Sequence, residues 1–163
     1  KLDTTALETA FELWELLGFC LCSPFQLLAK PPKNTNGQKD LRRYLNRHID
    51  IYGYLVTVKN TSTHTGKRMH FATLVDQHGE VFDTVLFPPV AAKYYFRGKG
   101  IYRFYGKVVE EFGFLSIEVI KMQKEDYIPD PRYSDMKTSK KLLVPKEGKR
   151  RGKTSEIKKS LTD

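Results

Sequence analysis

Between Lys59 and Arg68 the chain reads Lys-Asn-Thr-Ser-Thr-His-Thr-Gly-Lys-Arg, with cations at both ends and hydroxyls between. Hydroxyl and amide groups donate to phosphate oxygens, and Lys and Arg neutralise them. His70 and Phe71 follow directly. The chemistry on offer is polyanion binding, with an aromatic ring at hand for stacking. The candidate contacts are Lys59, Asn60, Thr63, His64, Lys67, Arg68, His70 and Phe71. Lys67 and Arg68 beside Gly66 also suit an ordinary solvated loop, and the residues alone leave both readings open.

No catalytic set stands out. The sequence has no Asp-x-Asp pair for two-metal phosphoryl chemistry. His48, His64, His70 and His78 have no Cys or carboxylate at metal-ligand spacing. Cys20 and Cys22 lack the two further ligands of a closed zinc site. They are also too close in sequence for a good disulfide, which points to a reducing compartment and a cytoplasmic location. The run Gly100 to Lys107 is similar to a phosphate loop, but its spacing is too long and Val108 stands where Ser or Thr is needed. The sequence therefore predicts no enzyme in this chain, no metal and no cofactor. Asn60-Thr61-Ser62 matches a glycosylation sequon that is idle in a cytoplasmic protein.

Charge supports an anionic partner. Lys and Arg number 28 against 19 Asp and Glu, a net +9 over 163 residues. Nucleic acid is the first expectation from such a balance and an acidic membrane the second. Much of the excess sits at the end: from Tyr127 to Asp163 there are 11 bases and 5 acids. A basic tail raises any nucleic-acid affinity in a salt-dependent way, yet it also suits a plain solvated extension. No apolar run approaches the roughly 18 residues of a membrane span, and no signal peptide opens the chain. The first residue is Lys1 rather than Met, which predicts a piece of a longer protein.

Three zones must position the candidate contacts. In the first, Lys1 to Arg47, Leu7, Ala10, Trp14 and Leu17 recur at helical spacing, with Asp3 or Thr4 as N-cap and Gly18 as the stop. Pro31-Pro32 and Asn34 to Gly37 read as loop, and Leu41 to Arg47 as a further helical turn. This zone reads as a helical linker that packs on neighbouring structure. The last zone, 125–163, reads as a basic and mostly flexible tail, with Leu142-Leu143-Val144 its one apolar cluster.

The middle zone, 48–124, is rich in β-branched and aromatic residues and predicts five strands. They are Ile49 to Asn60, Arg68 to Asp76, Glu80 to Phe87, Ile101 to Glu110 and Phe114 to Met122. Thr61 to Lys67 is a polar loop, and Gln77-His78-Gly79 is a tight turn. Pro88-Pro89 opens a helix over Val90 to Arg97, which Gly98 ends. Three strands, a helix and two strands predict a mainly β OB-fold, a Greek-key barrel whose first strand bends at Gly53. An SH3-like barrel would lack that helix. Such barrels bind through the loops joining strands one and two and strands four and five. The second loop carries Glu110, Glu111 and Phe112, and its two acids favour the first. Phe71, Phe82, Phe87 and Phe104 are read as core rather than stacking rings, because half of all barrel positions point inward. Tyr94, Tyr95 and Phe96 are read as helix residues that plug the barrel base, and Trp14 as a packing anchor.

Several segments carry a resemblance. Thr65-Gly66-Lys67-Arg68-Met69, Phe71-Ala72-Thr73-Leu74-Val75-Asp76, Gly79-Glu80-Val81 and Val85-Leu86-Phe87-Pro88 resemble the OB domain of bacterial C-family replicative DNA polymerases, the DNA polymerase III alpha subunits. Glu15-Leu16-Leu17-Gly18-Phe19, with Leu21 and Ser23, resembles the linker that leads into that domain. Cys20 departs from the family's aromatic, and Ser23-Pro24-Phe25 stands where the family has Gly-His-Pro. The resemblance spans roughly Phe11 to Met122, and transfer-RNA synthetase anticodon domains share part of its strand pattern. It implies a non-catalytic fragment, with the polymerase carboxylates and the clamp-binding peptide upstream. It implies contact with single-stranded template DNA through Asn60 to Arg68. The rest of the polymerase chain and other replisome subunits are the implied partners, with no membrane among them. Two other readings stay open: an OB domain that positions proteins with little nucleic-acid affinity, and an RNA or transfer-RNA binder.

Overall fold

Strand β1 (His48–Ser62) is long enough to serve two neighbours. Its first half pairs with β4 (Ile101–Glu111), from His48↔Lys107 to Tyr54↔Ile101. Its second half pairs with β2 (Arg68–Val75), from Tyr54↔Val75 to Ser62↔Arg68. The changeover falls at Gly53 and Tyr54. A Cβ on Gly53 would lie 2.6 Å from Phe82 Cζ and 2.8 Å from Leu74 Cβ. Only glycine lets the strand turn there against a filled core. The structure, a computed structural model, describes residues 3–19 and 21–133.

β2 pairs antiparallel with β3 (Val81–Leu86), and β3 runs parallel to β5 (Phe114–Lys124). β5 returns antiparallel to β4, and the order β1-β2-β3-β5-β4 closes into a barrel. A helix lies between β3 and β4, so the architecture is the expected OB-fold and not an SH3-like barrel. Alternate residues point inward and make the core: Ile49, Ile51, Leu74, Phe82, Leu86, Phe104, Val108 and Ile117 are all buried.

Two tight turns fix the register. Asp76 is buried at the β2–β3 turn, where its carboxylate accepts from His78 N (2.8 Å), Glu80 N (2.9 Å) and Gln38 N (2.7 Å). At the β4–β5 turn Phe112 and Gly113 both have positive φ, 51° and 83°, as a two-residue hairpin loop requires.

The segment after β3 departs from the sequence expectation. The helix predicted over Val90 to Arg97 is only Pro88–Ala91 (α2 below). Beyond it the chain turns at Ala92 and Lys93 and runs irregularly to Gly100, and a buried phenol takes up two of its backbone groups. Tyr102 Oη accepts from Arg97 N and donates to Gly98 O, both at 2.7 Å. Tyr94 and Phe96 turn inward against the core, and Tyr95 and Arg97 turn out. The three aromatics are thus not helical, and only two of them face the barrel.

The N-terminal region begins with helix α1 (Thr4–Leu17), N-capped by Asp3, whose Oδ1 accepts from Ala6 N at 2.8 Å. Gly18 ends it at φ 73°. Trp14 meets the edge of Tyr127, 5.1 Å between ring centroids. The later helical turn is a 3₁₀ turn over Gln38–Tyr44 rather than Leu41 to Arg47, because Asp40 Oδ2 accepts from Gly37 N and starts it earlier. Leu41 on this turn is buried in the main core. Leu27 and Leu28 are also buried, and Leu28 bridges to Tyr127.

The described residues up to Arg132 belong to one compact unit. The tail from Ser134 onward, with Leu142-Leu143-Val144, lies outside the described residues, as does Cys20. Among the described residues no helix is long and apolar enough to cross a membrane.

Candidate nucleic-acid interface

The β1–β2 connection is less of a loop than its composition suggests. The strands continue to Ser62↔Arg68, and the turn occupies only Thr63 to Lys67. Thr63 N donates to Lys67 O and Gly66 N to Thr63 O, both at 2.8 Å. Gly66 sits at φ +76°, a conformation that favours glycine. Thr63 Oγ1 is 2.8 Å from Thr65 Oγ1 and accepts from Lys67 N at 3.2 Å. That hydroxyl therefore holds the turn together. The result is a hydrogen-bonded two-stranded arm that continues β1 and β2 beyond the β1–β4 pairing.

Strand alternation sorts the predicted contacts onto different sides of this arm. Lys59 pairs with Phe71 on the outer side of the barrel. Asn60 pairs with His70 and Ser62 with Arg68 on the side that continues the barrel interior, in phase with buried Ala72 and Leu74. His64 lies exposed at the turn. Thus Arg68 and His70 share one flank, whereas Lys59 and Phe71 lie on the other, and Lys67 of the turn borders the same hollow as Arg68 and His70. His70 Nδ1 donates to Asn60 Oδ1 at 2.7 Å.

Two hollows open on the inner flank. One, of about 740 Å³, is lined by Lys67, Arg68, His70, Pro88, Ala92 and Tyr95, among others. The second, of about 450 Å³, takes in Asn60, His70, Tyr95, Phe96 and Lys99. Shared walls at His70 and Tyr95 make them one groove, between the arm and the segment that follows β3.

The electrostatics are one-sided. No Asp or Glu occurs between Asp50 and Asp76, or between Asp83 and Glu110. These two acid-free stretches form the two walls. Among the described residues no carboxylate lies within 4.0 Å of Lys59, Lys67 or Arg68. Arg103 is different: its Nε donates to Asp50 Oδ1 at 2.9 Å. That hydrogen bond raises the Arg103 pKa above its usual value, and the pair is committed to itself.

The expected core aromatics divide. Phe82 and Phe104 are buried, but Phe71 and Phe87 are 42% and 40% exposed. Phe71 is out of phase with Ala72 and Leu74, and Phe87 caps α2 where β3 has ended. The sequence reading missed the opposite wall, Tyr95, Phe96 and Lys99. Its signal was the acid-free run from Thr84 to Val109. It also undervalued the second loop, where Phe112 is fully exposed, Phe114 is 79% exposed and Glu110 pairs with Arg42 at 3.3 Å.

No family model matches the chain, and no curated protein does. Solved structures do match in part. The second OB-fold domain of replication protein A from Methanococcus maripaludis is 20% identical, over 49% of this chain and 85% of that one, with a TM-score of 0.37. The single-stranded DNA binding protein from Thermus aquaticus is 12% identical, over 50% of this chain and 41% of that one, with a TM-score of 0.44. A chain of the S. pombe Stn1–Ten1 complex is 16% identical, over 69% and 94%, with a TM-score of 0.43. With likenesses this low, the strand order itself defines the fold.

Proposed function

We propose that this chain is a non-catalytic OB barrel that binds single-stranded DNA, and that it serves as the template-contacting domain of a bacterial, cytoplasmic C-family replicative polymerase. The observation that carries the binding is the hydrogen-bonded β1–β2 arm. It holds Lys59, Lys67 and Arg68 unpaired among the described residues, in a stretch without a carboxylate. Cations so placed attract phosphates without competition from neighbouring acids. Nearby rings supply the stacking that makes binding tolerant of sequence.

The polymerase context draws on the residues of the arm and of Glu15 to Phe19 that resemble that family. An apolar end to α1 agrees with it, since Leu16 is 80% exposed and Leu21 and Phe19 are exposed beside it. Those side chains suit burial against the remainder of a polymerase chain. A second reading, a protein-positioning barrel, draws on Phe112 and Phe114 at the tip of the β4–β5 hairpin.

The test is fluorescence anisotropy with labelled single-stranded DNA, blunt duplex, RNA of the same sequence and a primer–template with a 5′ overhang. The proposal expects single strand and overhang to bind better than blunt duplex, and DNA at least as well as RNA. It expects this preference to survive removal of 134–163 and to fall with Lys67→Ala/Arg68→Ala. Binding that disappears only with the tail, or equal affinity for blunt duplex, leaves the protein-positioning reading. A clear preference for RNA points to an RNA-binding barrel.

A further inference from the structure

We infer that the DNA strand runs through the groove between the inner flank of the β1–β2 arm and the segment 88–99, with a base stacked on Tyr95. This rests on the single-strand reading above and assigns its path.

Charge comes first. Lys67 and Arg68 stand on one wall and Lys99 on the other, and no carboxylate lines either hollow. The outer face of β2 and β3 offers a phosphate much less. Asp83 lies there, accepting from Thr73 Oγ1 at 2.6 Å, and Glu118 stands beside Val85. The inner flank thus presents cations with no acid among them, whereas the outer face sets Asp83 and Glu118 against Lys59, and a polyanion is favoured on the inner flank.

The ring comes second. Tyr95 is 60% exposed although it is bracketed by Tyr94 and Phe96, which pack on the core. Burial alternates along this irregular segment, with Tyr94 and Phe96 half-buried and Tyr95 and Arg97 exposed, so the middle ring points outward. The Arg97 guanidinium lies 5.0 Å from the Tyr95 ring centroid and steadies it. The base of a duplex already has both faces covered by its neighbours. A platform at the wall of a cationic groove thus selects unpaired strands. His70, oriented by Asn60, borders both hollows opposite the ring.

The experiment uses the full chain with two labelled oligomers of about 12 nucleotides, a length within reach of one OB barrel. One is oligo-dT and the other an abasic strand of equal charge. Tyr95→Ala should weaken oligo-dT binding by about 10-fold, from the loss of one stacked base, and barely alter the abasic strand. Tyr95→Phe should bind as the unsubstituted chain does. Phe71→Ala, on the outer face, should leave both affinities within about 2-fold, as expected of a residue outside the contact surface. A fold defect would depress both oligomers alike, and circular dichroism melting checks it.

The inference is overturned if Tyr95→Ala leaves oligo-dT unchanged while Phe71→Ala and Lys67→Ala/Arg68→Ala weaken it. The strand then crosses the outer face, and the proposed function stands. If the unsubstituted chain has no preference for single strands, the functional reading fails and this path fails with it.

Discussion

His70 Nδ1 lies 2.7 Å from Asn60 Oδ1, directly across the β1–β2 arm. The amide oxygen can only accept, so the imidazole donates from Nδ1 and its ring is held in one orientation. His70 is also a wall shared by both hollows of the groove. Asn60→Ala releases the ring. A hydrogen bond worth about 1 kcal/mol translates into about a 5-fold loss of single-strand affinity. Anisotropy titration measures it, with far-ultraviolet circular dichroism expected to be unchanged. Unaltered affinity would show that the orientation of His70 has no part in binding.

The salt dependence counts phosphates. If Lys67 and Arg68 each neutralise one, Lys67→Ala/Arg68→Ala should flatten the slope of log affinity against log salt by about 1.4, at about 0.7 per single-strand phosphate. Titrations at several salt concentrations give the slope directly. A weaker affinity with an unchanged slope would mean that the pair shapes the arm without touching phosphate.

Gly106 is a structural requirement of the barrel. A Cβ there would sit 2.3 Å from Glu118 O and 2.8 Å from Ile117 Cγ2, where β4 passes an irregularity against β5. Neither β5's backbone nor the buried Ile117 can yield cheaply. Gly106→Ala should cost about 2–3 kcal/mol of stability, measured by urea unfolding. Gly66→Ala meets no atom within 4 Å but takes on a positive φ, so its smaller cost, about 1 kcal/mol, is local to the arm.

Acid should loosen α1 before it unfolds the barrel. The Arg132 guanidinium, hydrogen-bonded to Asp130, holds that carboxyl below its ordinary value of 3.8. Arg132 also reaches Glu15 of α1 at 3.2 Å, and Trp14 meets Tyr127 nearby. A lowered folded-state pKa means that the contribution is whole above the unfolded value and is lost as pH falls through the folded one. The emission of Trp14 should therefore shift to the red below about pH 4, ahead of the loss of strand signal. Asp130→Asn should show the shifted emission already at neutral pH. If fluorescence and strand signal change together in both proteins, the pair does not anchor α1.

Much of the barrel was legible because single residues announce its difficult points. Gly53 marks the bend of β1, Gln77-His78-Gly79 the β2–β3 turn, and Pro88 the start of α2. The end of α2 was not legible. Its helical pattern runs on to Arg97, and only the Tyr102 hydroxyl, reaching back from β4, shows that the backbone has another partner. The side taken by Phe71 was within reach, because it falls out of phase with Ala72 and Leu74. Counting half of all barrel positions as core obscured it. The cationic arm was visible as composition. Its opposite wall was not, because Tyr95, Phe96 and Lys99 meet the arm only through the closure of the barrel.

The most direct test is a backbone-amide chemical-shift map of the full chain with oligo-dT added in steps. The account predicts that the largest shifts fall on two separate segments together, the arm from Gly66 to His70 and the wall from Ala92 to Lys99. Shifts confined to the β4–β5 tip around Phe112, or to residues beyond Tyr133, with the arm unmoved, would contradict it.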